Sequence, residues 1–540
     1  MSDRRTFIVT TGSASLGLTR IPALIGLQKD ADLVIRGGTL FDGTGAAAVE
    51  ADIALTAGKI SAVGRRLSVR GAEEIDARGL AVAPGFIDIH SHADSNLEAD
   101  PRAESIIRQG ITTVVVGADG DSDATGSPAH PFSAYWATVR SWQPAVNVAS
   151  MVGLGGIRGE KIGDRDRPAT ESEVAEMTSW VARAVAEGAC GASSGLEYTP
   201  GAFASTAELG ALCAPLSRAR LPYATHMRNE DDRLLDAIDE SVTVARLAKC
   251  PLQISHLKTQ GPRNWGKLDQ VFAKVAAARQ AGIDAAFDRY PYVAYQTGLT
   301  NLFPVWSRDG GTDAFLVRLA DSATAPRIRE ATLAKIDLLG GWDNVMITSV
   351  RDSTDRAAEG KRLGSYAQGL GADPYETTVA LLRRSKGGVG MVGFAMSEDN
   401  LDRILAHPQG MVCSDGGSYA VDGPTRRGSP HPRGLGSFPR VLARYVRERK
   451  ALTLESAIHK MSGLPASRLG LADRGRLARG LAGDVVVFDP VTVADRATFD
   501  APFQYPVGIM ATVVNGRVAL RQEARQDTGR HAGGPVTPTR

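Results

Sequence analysis

The sequence predicts an α/β protein, a closed (β/α)8 barrel of the TIM type carrying a small β-sandwich built from both chain ends. Three observations carry this expectation. Between residues 84 and 477, short apolar runs alternate about eight times with helix-length stretches, the pattern of a parallel sheet with crossover helices. Strand-like segments with glycine turns stand before and after that region. Histidines close one strand-like run after another, and a barrel gathers its reactive side chains at the carboxyl ends of its strands.

The elements follow in chain order. Arg4 and Arg5 precede a Ser/Thr/Gly-rich apolar run, so residues 1–30 resemble a twin-arginine export signal, although Arg20 interrupts the run and no A-x-A site follows. Used as a signal, it implies a periplasmic or secreted protein; otherwise the chain is cytoplasmic. Residues 31–83 form the first sandwich part, with strands at Ala31–Gly38, Asp52–Val63 and Glu74–Ala83. The barrel, residues 84–477, has strand-like runs at Gly85–His90, Thr112–Gly117, Gly191–Leu196, Tyr223–His226, Leu252–His256, Asp284–Asp288 and Met411–Ser414. Glu171–Glu187, Leu234–Ala248 and Leu268–Ala281 read as its helices, and a helical insertion around residues 302–339 covers its mouth. The second sandwich part, residues 478–522, has strands at Gly483–Phe488 and Met510–Leu520, with Asn515-Gly516 as a hairpin turn. Residues 523–540 are polar with Gly and Pro and read as a flexible tail.

Composition narrows the function. The 540 residues hold 62 Lys and Arg, 60 Asp and Glu and 9 His, a net charge of +2, with 43% hydrophobic and 23% charged residues. A disordered chain is excluded, and no nucleic-acid partner is expected from so balanced a charge. No run of about 18 uncharged apolar residues occurs, so no membrane span is expected. Cys190, Cys213, Cys250 and Cys413 are isolated, which excludes a disulfide framework or a Cys-rich zinc module. Oligomeric state leaves no mark on the sequence.

The strongest chemical signal is PGFIDIHSHAD, residues 84–94. His90 and His92 stand two apart at a strand end, so both imidazoles share one face. Chance alone yields roughly 0.15 such pairs in a chain with this histidine content, and a lone pair persuades little. His226 ends YATH and His256 ends PLQISH. Taken singly, each is more often a hydrogen-bonded structural histidine. Four strand-terminal histidines converging on one rim are what a one- or two-metal hydrolytic centre needs. Asp415 in MVCSDGG is placed to move protons, the plainer reading being a turn aspartate before Gly416 and Gly417.

These segments, together with ITTVVVG, GASSGLEYTPG, ISHLKTQGPRNWG, DRYPYVAY and HPRGLGSFPRVLARYVRE, resemble the amidohydrolase superfamily, specifically its N-acyl-D-amino-acid deacylase (D-aminoacylase) branch. The likeness runs from about Asp32 to Gly516. It implies a metal-dependent barrel hydrolysing amides of small N-acyl amino acids, with one or two divalent ions, zinc first. By the same resemblance His90 and His92 are ligands of one metal position, His226 and His256 of the other, and Asp415 is the general acid/base. Lys258 and Tyr290 fall near the substrate carboxylate, Tyr198 lines the pocket, and Tyr292 and Arg228 complete the implied substrate-binding set.

One departure stands out. Where the D-aminoacylases carry Asn-Cys-Gly with a metal-binding cysteine, this chain has Ala118-Asp119-Gly120. Asp119 is then the implied ligand, harder than a thiolate, which loosens selectivity for zinc. Asp121 and Asp123 are the alternative ligands. The spacing of Asp119, Asp121 and Asp123 also suits a calcium loop, but Ala124 replaces the turn glycine and His130 the acidic last ligand, so calcium is rejected. GASSGLEY contains no lysine for the carboxylated-lysine bridge of hydantoinase- or dihydroorotase-type enzymes, which lowers that alternative. A deacylase for L-configured or long-chain N-acyl substrates, or a dipeptidase-like enzyme, is the nearer one. A decayed metal-binding scaffold fits poorly with an intact set of histidines and Asp415.

Overall fold

Alternating side chains build the first layer. In strand Ala31–Leu40, Leu33, Ile35 and Leu40 pack on one face with Ile53, Leu55, Val485 and Val487, while Val34 packs on the other with Ala54. The computed structural model describes residues 30–522 and 532–539. The export-signal expectation lies outside the described residues. Strands from both chain ends join one eight-stranded mixed sheet, in which Ala81–Pro84 pairs with Ala31–Leu40 on one side and with Val485–Phe488 on the other.

The barrel wall is parallel throughout. Its strands are β1 (Phe86–Asp88), β2 (Ile111–Val116), β3 (Asn147–Ser150, resumed at Val152–Gly153), β4 (Ala192–Gly195), β5 (Tyr223–His226), β6 (Leu252–Ile254), β7 (Ala285–Arg289) and β8 (Gly410–Val412). Each pairs with the next in parallel register. Beyond the last strand the ring closes through Asp415 N donating to His90 O and His92 N donating to Gly416 O, both at 2.9 Å. Apolar strands covered on both faces are what a helix-wrapped parallel sheet requires.

Three features depart from the sequence reading. Strand β3 is absent from the runs the sequence singles out, because polar residues dilute it. Asn147 is nevertheless buried, donating to Asp484 Oδ2 at 3.2 Å and accepting from Asn515 Nδ2 at 2.7 Å. The insertion is also larger than residues 302–339. Besides helices Gly311–Arg318 and Ala325–Leu339, it contains an antiparallel sheet of Ala294–Gly298, Val389–Phe394 and Val345–Val350. Finally, the described part of the tail is not loose. Val148 N donates to Gly534 O and Val536 N to Val148 O, each at 2.9 Å, so residues 532–539 pair with the open edge of β3 and bury Val536. A strand edge left unpaired inside a barrel wall demands such a partner. Among the described residues no helix is long and apolar enough to cross a membrane.

Candidate metal centre

Every expected ligand stands at or just past the carboxyl end of a barrel strand: His90 and His92 after β1, Asp119 after β2, His226 ending β5, His256 after β6 and Asp415 after β8. The backbone turns sharply there. Asp119, His256 and Asp415 take left-handed conformations with φ of 52°, 35° and 50°. Such geometry is costly for residues with a Cβ and clusters at functional sites. It is tolerated partly because Gly195 faces it; a Cβ on Gly195 would lie 2.0 Å from Asp119 O.

The side chains converge. Asp119 Oδ2 lies 3.5 Å from His90 Nε2, 3.6 Å from His92 Nε2, 3.4 Å from His256 Nε2 and 3.8 Å from His226 Nδ1. Asp415 Oδ1 lies 3.2 Å from His92 Nε2 and 3.6 Å from His90 Nε2. Two groups able to hold a metal ion result, His90/His92/Asp119/Asp415 and Asp119/His226/His256, and Asp119 belongs to both. Donors about 2.0–2.2 Å from one tetrahedral ion stand about 3.4 Å apart, which matches these separations. His90 Nε2, His226 Nε2 and Asp119 Oδ1 are buried without a hydrogen-bond partner. Buried polar atoms are rarely left so, and a cation held between His90 Nε2 and Asp119 Oδ2 resolves the deficit of His90 Nε2. The residues therefore fit a divalent metal.

The electrostatics agree. Burial would push the His92 imidazole down, but Asp119 and Asp415 raise it to about 9. Burial would push the Asp119 carboxyl up, but His90 and His256 hold it well below the usual carboxylate range. The field that retains these protons is one a dication can satisfy in their place.

A second layer, which the sequence reading missed, orients the ligands. Asp288 Oδ1 accepts from His256 N at 2.8 Å and faces His90 Nδ1 at 3.6 Å. Glu230 lies 3.2 Å from His256 Nδ1 and accepts from Lys258 Nζ at 2.6 and 2.7 Å. Glu197 faces His226 Nε2 at 3.6 Å, and Arg433 bonds Asp415. Glu230 sits in HMRNE with His226, and Asp288 opens DRYPY near the carboxyl end of β7; their nearness to strand ends was the available signal.

Of the expected substrate residues, Lys258, Tyr198 and Tyr290 line the cavity of about 630 Å3 over the ligands. Tyr198 OH lies 3.5 Å from His226 Nδ1, and Tyr290 OH is buried without a partner. Lys258 Nζ also lies 2.8 Å from His256 Nδ1, so its contacts point at protein groups. Tyr292 and Arg228 are not brought to the cavity. Tyr292 packs on His431 and beneath the Arg440 guanidinium, 4.6 Å away. Arg228 is held outward by both oxygens of Glu240 and by the carbonyls of Ala202 and Ala204. Past the end of β7 the chain turns tightly at Pro291, Tyr292 N donating to Tyr290 O at 3.0 Å, so strand alternation no longer keeps the two tyrosines on one face; in HMRNE, Glu240 on the following helix captures Arg228.

A parallel barrel with imidazoles and carboxylates meeting at its carboxyl rim defines a metal-site barrel of the hydrolytic kind. Residues 73–331 and 418–520 match the amidohydrolase family. The chain is 35% identical over 519 residues to a D-aminoacylase of Alcaligenes xylosoxydans xylosoxydans, covering 93% of this chain and 96% of that one. It is 36% identical over 512 residues to an N-acyl-D-glutamate deacylase of the same organism, covering 92% and 95%. The crystal structure of N-acyl-D-glutamate deacylase from Bordetella bronchiseptica, complexed with zinc and a phosphonate mimic of the tetrahedral intermediate, superposes with a TM-score of 0.79 at 34% identity, over 94% of this chain and all of that one. The chain belongs to the amidohydrolase family.

Proposed function

We propose that the protein is a metal-dependent amide hydrolase that cleaves small N-acyl amino acids, D-configured ones favoured, to a carboxylate and a free amino acid. The observation that carries this reading is Asp119 Oδ2 standing within 3.4–3.8 Å of all four histidines, with Asp415 against the first pair. Near-equal identity to relatives named for D-aminoacylase and N-acyl-D-glutamate deacylase activity supports the substrate class they share. When bound at these residues, a divalent ion such as zinc supplies Lewis acidity, acidifying water and polarising the acyl carbonyl. Asp415 takes the proton of the attacking water and returns it to the departing amide nitrogen as the C–N bond breaks. Glu230 and Asp288 orient His256 and His90. Lys258 is engaged by Glu230 and His256, so the α-carboxylate falls to the unpartnered hydroxyl of Tyr290 and to Arg433, both on the cavity wall. Tyr198 closes the His226 side. The twin arginine Arg4-Arg5 favours export, which sequencing of the mature N-terminus checks.

The test is a kinetic panel of N-acetyl and long-chain N-acyl D- and L-amino acids with added zinc, manganese or cobalt. Metal-dependent release of free amino acid, faster for the D forms, is expected. No hydrolysis of any member by any metal-loaded form sinks the reading.

A further inference from the structure

Helix Leu154–Ile162 follows β3 and has two unlike faces. Leu154, Ile157 and Arg158 are buried, while Gly155, Gly156 and Gly159 line the cavity above the metal ligands. Glycine is a poor helix former, so three within nine residues need a reason. Most glycines of this wall find one in the backbone they pack against. A Cβ would lie 2.8 Å from Gly120 O at Gly155, 2.9 Å from Gly195 O at Gly201 and 2.0 Å from Asp119 O at Gly195. Gly156 and Gly159 have no such neighbour, and neither has a left-handed φ. A Cβ on Gly156 would meet nothing nearer than Asp121 Oδ1 at 3.7 Å, and one on Gly159 nothing nearer than Pro200 Cγ at 3.5 Å, both ordinary contacts. The fold does not require glycine at these two positions. What they leave is open space in the cavity wall.

The order of strands says what that space faces. In a closed ring of eight, β3 stands opposite β7. Tyr290 follows β7, is 0% exposed, and turns a hydroxyl without a partner to the same cavity. That hydroxyl and Arg433 mark the end where the α-carboxylate rests, and Asp119 with the four histidines lies between. A substrate anchored there, with its scissile carbonyl at the ligands, sends its acyl chain across the mouth toward Gly156 and Gly159. A cavity of about 630 Å3 is more than an acetylated amino acid fills.

We propose that Gly156 and Gly159 are the floor of an acyl-chain subsite, and that the enzyme takes extended, uncharged aliphatic acyl groups. This rests on the deacylase reading above and deepens it by naming the acyl class. Pro200 and Gly201 continue the floor without charge. The Asp121 carboxylate at its Gly156 end opposes a chain that ends in a carboxylate of its own.

The experiment takes the D-amino acid turned over fastest as its N-acetyl derivative and offers it to the zinc-loaded enzyme as acetyl, butanoyl, hexanoyl and succinyl derivatives. A buried methylene is worth up to about fourfold, so kcat/KM for hexanoyl should exceed that for acetyl by about tenfold or more. Succinyl should fall below butanoyl. Gly156→Leu and Gly159→Leu fill the floor, and each should cut the hexanoyl-to-acetyl ratio by about tenfold. Gly156→Ala guards against misfolding: it replaces a helical glycine where a methyl group has room, so it should melt above the wild type while already lowering the ratio. Binding without turnover is read from the Kd of acetohydroxamate and hexanohydroxamate for the zinc-loaded protein. The longer one should bind about tenfold more tightly, and Gly156→Leu should erase that gain. Hexanoyl no better than acetyl, succinyl equal to butanoyl, or a chain-length gain that both leucine variants leave intact overturns the subsite. If no N-acyl compound is hydrolysed, the deacylase reading falls, and the hydroxamate pair still decides the subsite on its own.

Discussion

Arg433 donates from Nη1 to Asp415 Oδ2 at 2.7 Å, leaving Asp415 Oδ1 to face His92 Nε2 at 3.2 Å. Burial alone would raise the Asp415 carboxyl; Arg433 first, then His92, His256 and His90, hold it far below the usual carboxylate range. Asp415 is thus kept at rest as a carboxylate, ready to take the proton of the attacking water before it passes it on. Asp415→Asn should lower kcat by about 10^3 or more with metal still bound, since general acid–base catalysis is worth roughly 10^2–10^4. Arg433→Met removes the clamp, so the carboxyl titrates higher and the acid limb of kcat/KM moves to higher pH. Turnover of Asp415→Asn near that of the wild type would refute the role.

Asp119 contributes to both ligand groups, so Asp119→Ala should lower bound metal, read by elemental analysis. Asp119→Cys should keep metal and favour zinc over manganese more strongly, because a thiolate is softer than a carboxylate. Metal uptake must also displace protons. With His92 held at about 9, affinity should climb with pH up to that value, and uptake near neutral pH should acidify a weakly buffered solution. Stoichiometry indifferent to Asp119→Ala would make that residue purely structural.

Arg228 and Tyr292 lie outside the cavity, and their loss should tell on stability. Arg228→Met strips Glu240 of its paired cation and should cost about 2 kcal/mol in urea unfolding, with KM little changed. Tyr292→Phe should leave KM alone too. Tyr198→Phe, on the cavity wall beside His226, should change kcat/KM without a comparable loss of stability. A raised KM for Arg228→Met at unchanged stability would contradict this placement.

Lys460 is buried beneath the barrel, donating to the carbonyls of His407 and Gly410, and burial lowers its pKa from 10.5 to about 8. Between those values the unfolded chain holds a proton that the folded chain has released, so stability from this group rises with pH, by about 3 kcal/mol across the window. Unfolding free energies of wild type and Lys460→Met at about pH 7.5 and pH 10 should show the wild type gaining on the variant. A difference independent of pH would mean that the two carbonyls keep the ammonium charged.

Much of the site was legible as spacing. His90 and His92 two apart at a strand end, and His226, His256 and Asp415 each closing an apolar run, pointed to one rim, because a parallel barrel delivers every strand end to the same side. Asp119 was legible only by contrast with the relatives' cysteine. Tyr292 and Arg228 show the limit: adjacency in a motif does not fix which way a side chain points. In the second layer, Asp288, Glu230 and Glu197 carry only their nearness to strand ends, which does not tell which imidazole each meets, and Arg433 carries no spacing signal.

The amino-acid order by itself determined the architecture and the ligand types, because period, turns and residue chemistry are local properties. Only the tertiary structure decided that Asp119 reaches both histidine pairs, that Lys258 is engaged by Glu230, that the tail mends the edge of β3 and that Gly156 and Gly159 face the cavity across from Tyr290. Those are relations between residues tens to hundreds of positions apart, set by how strands and insertion pack, and no local pattern encodes them.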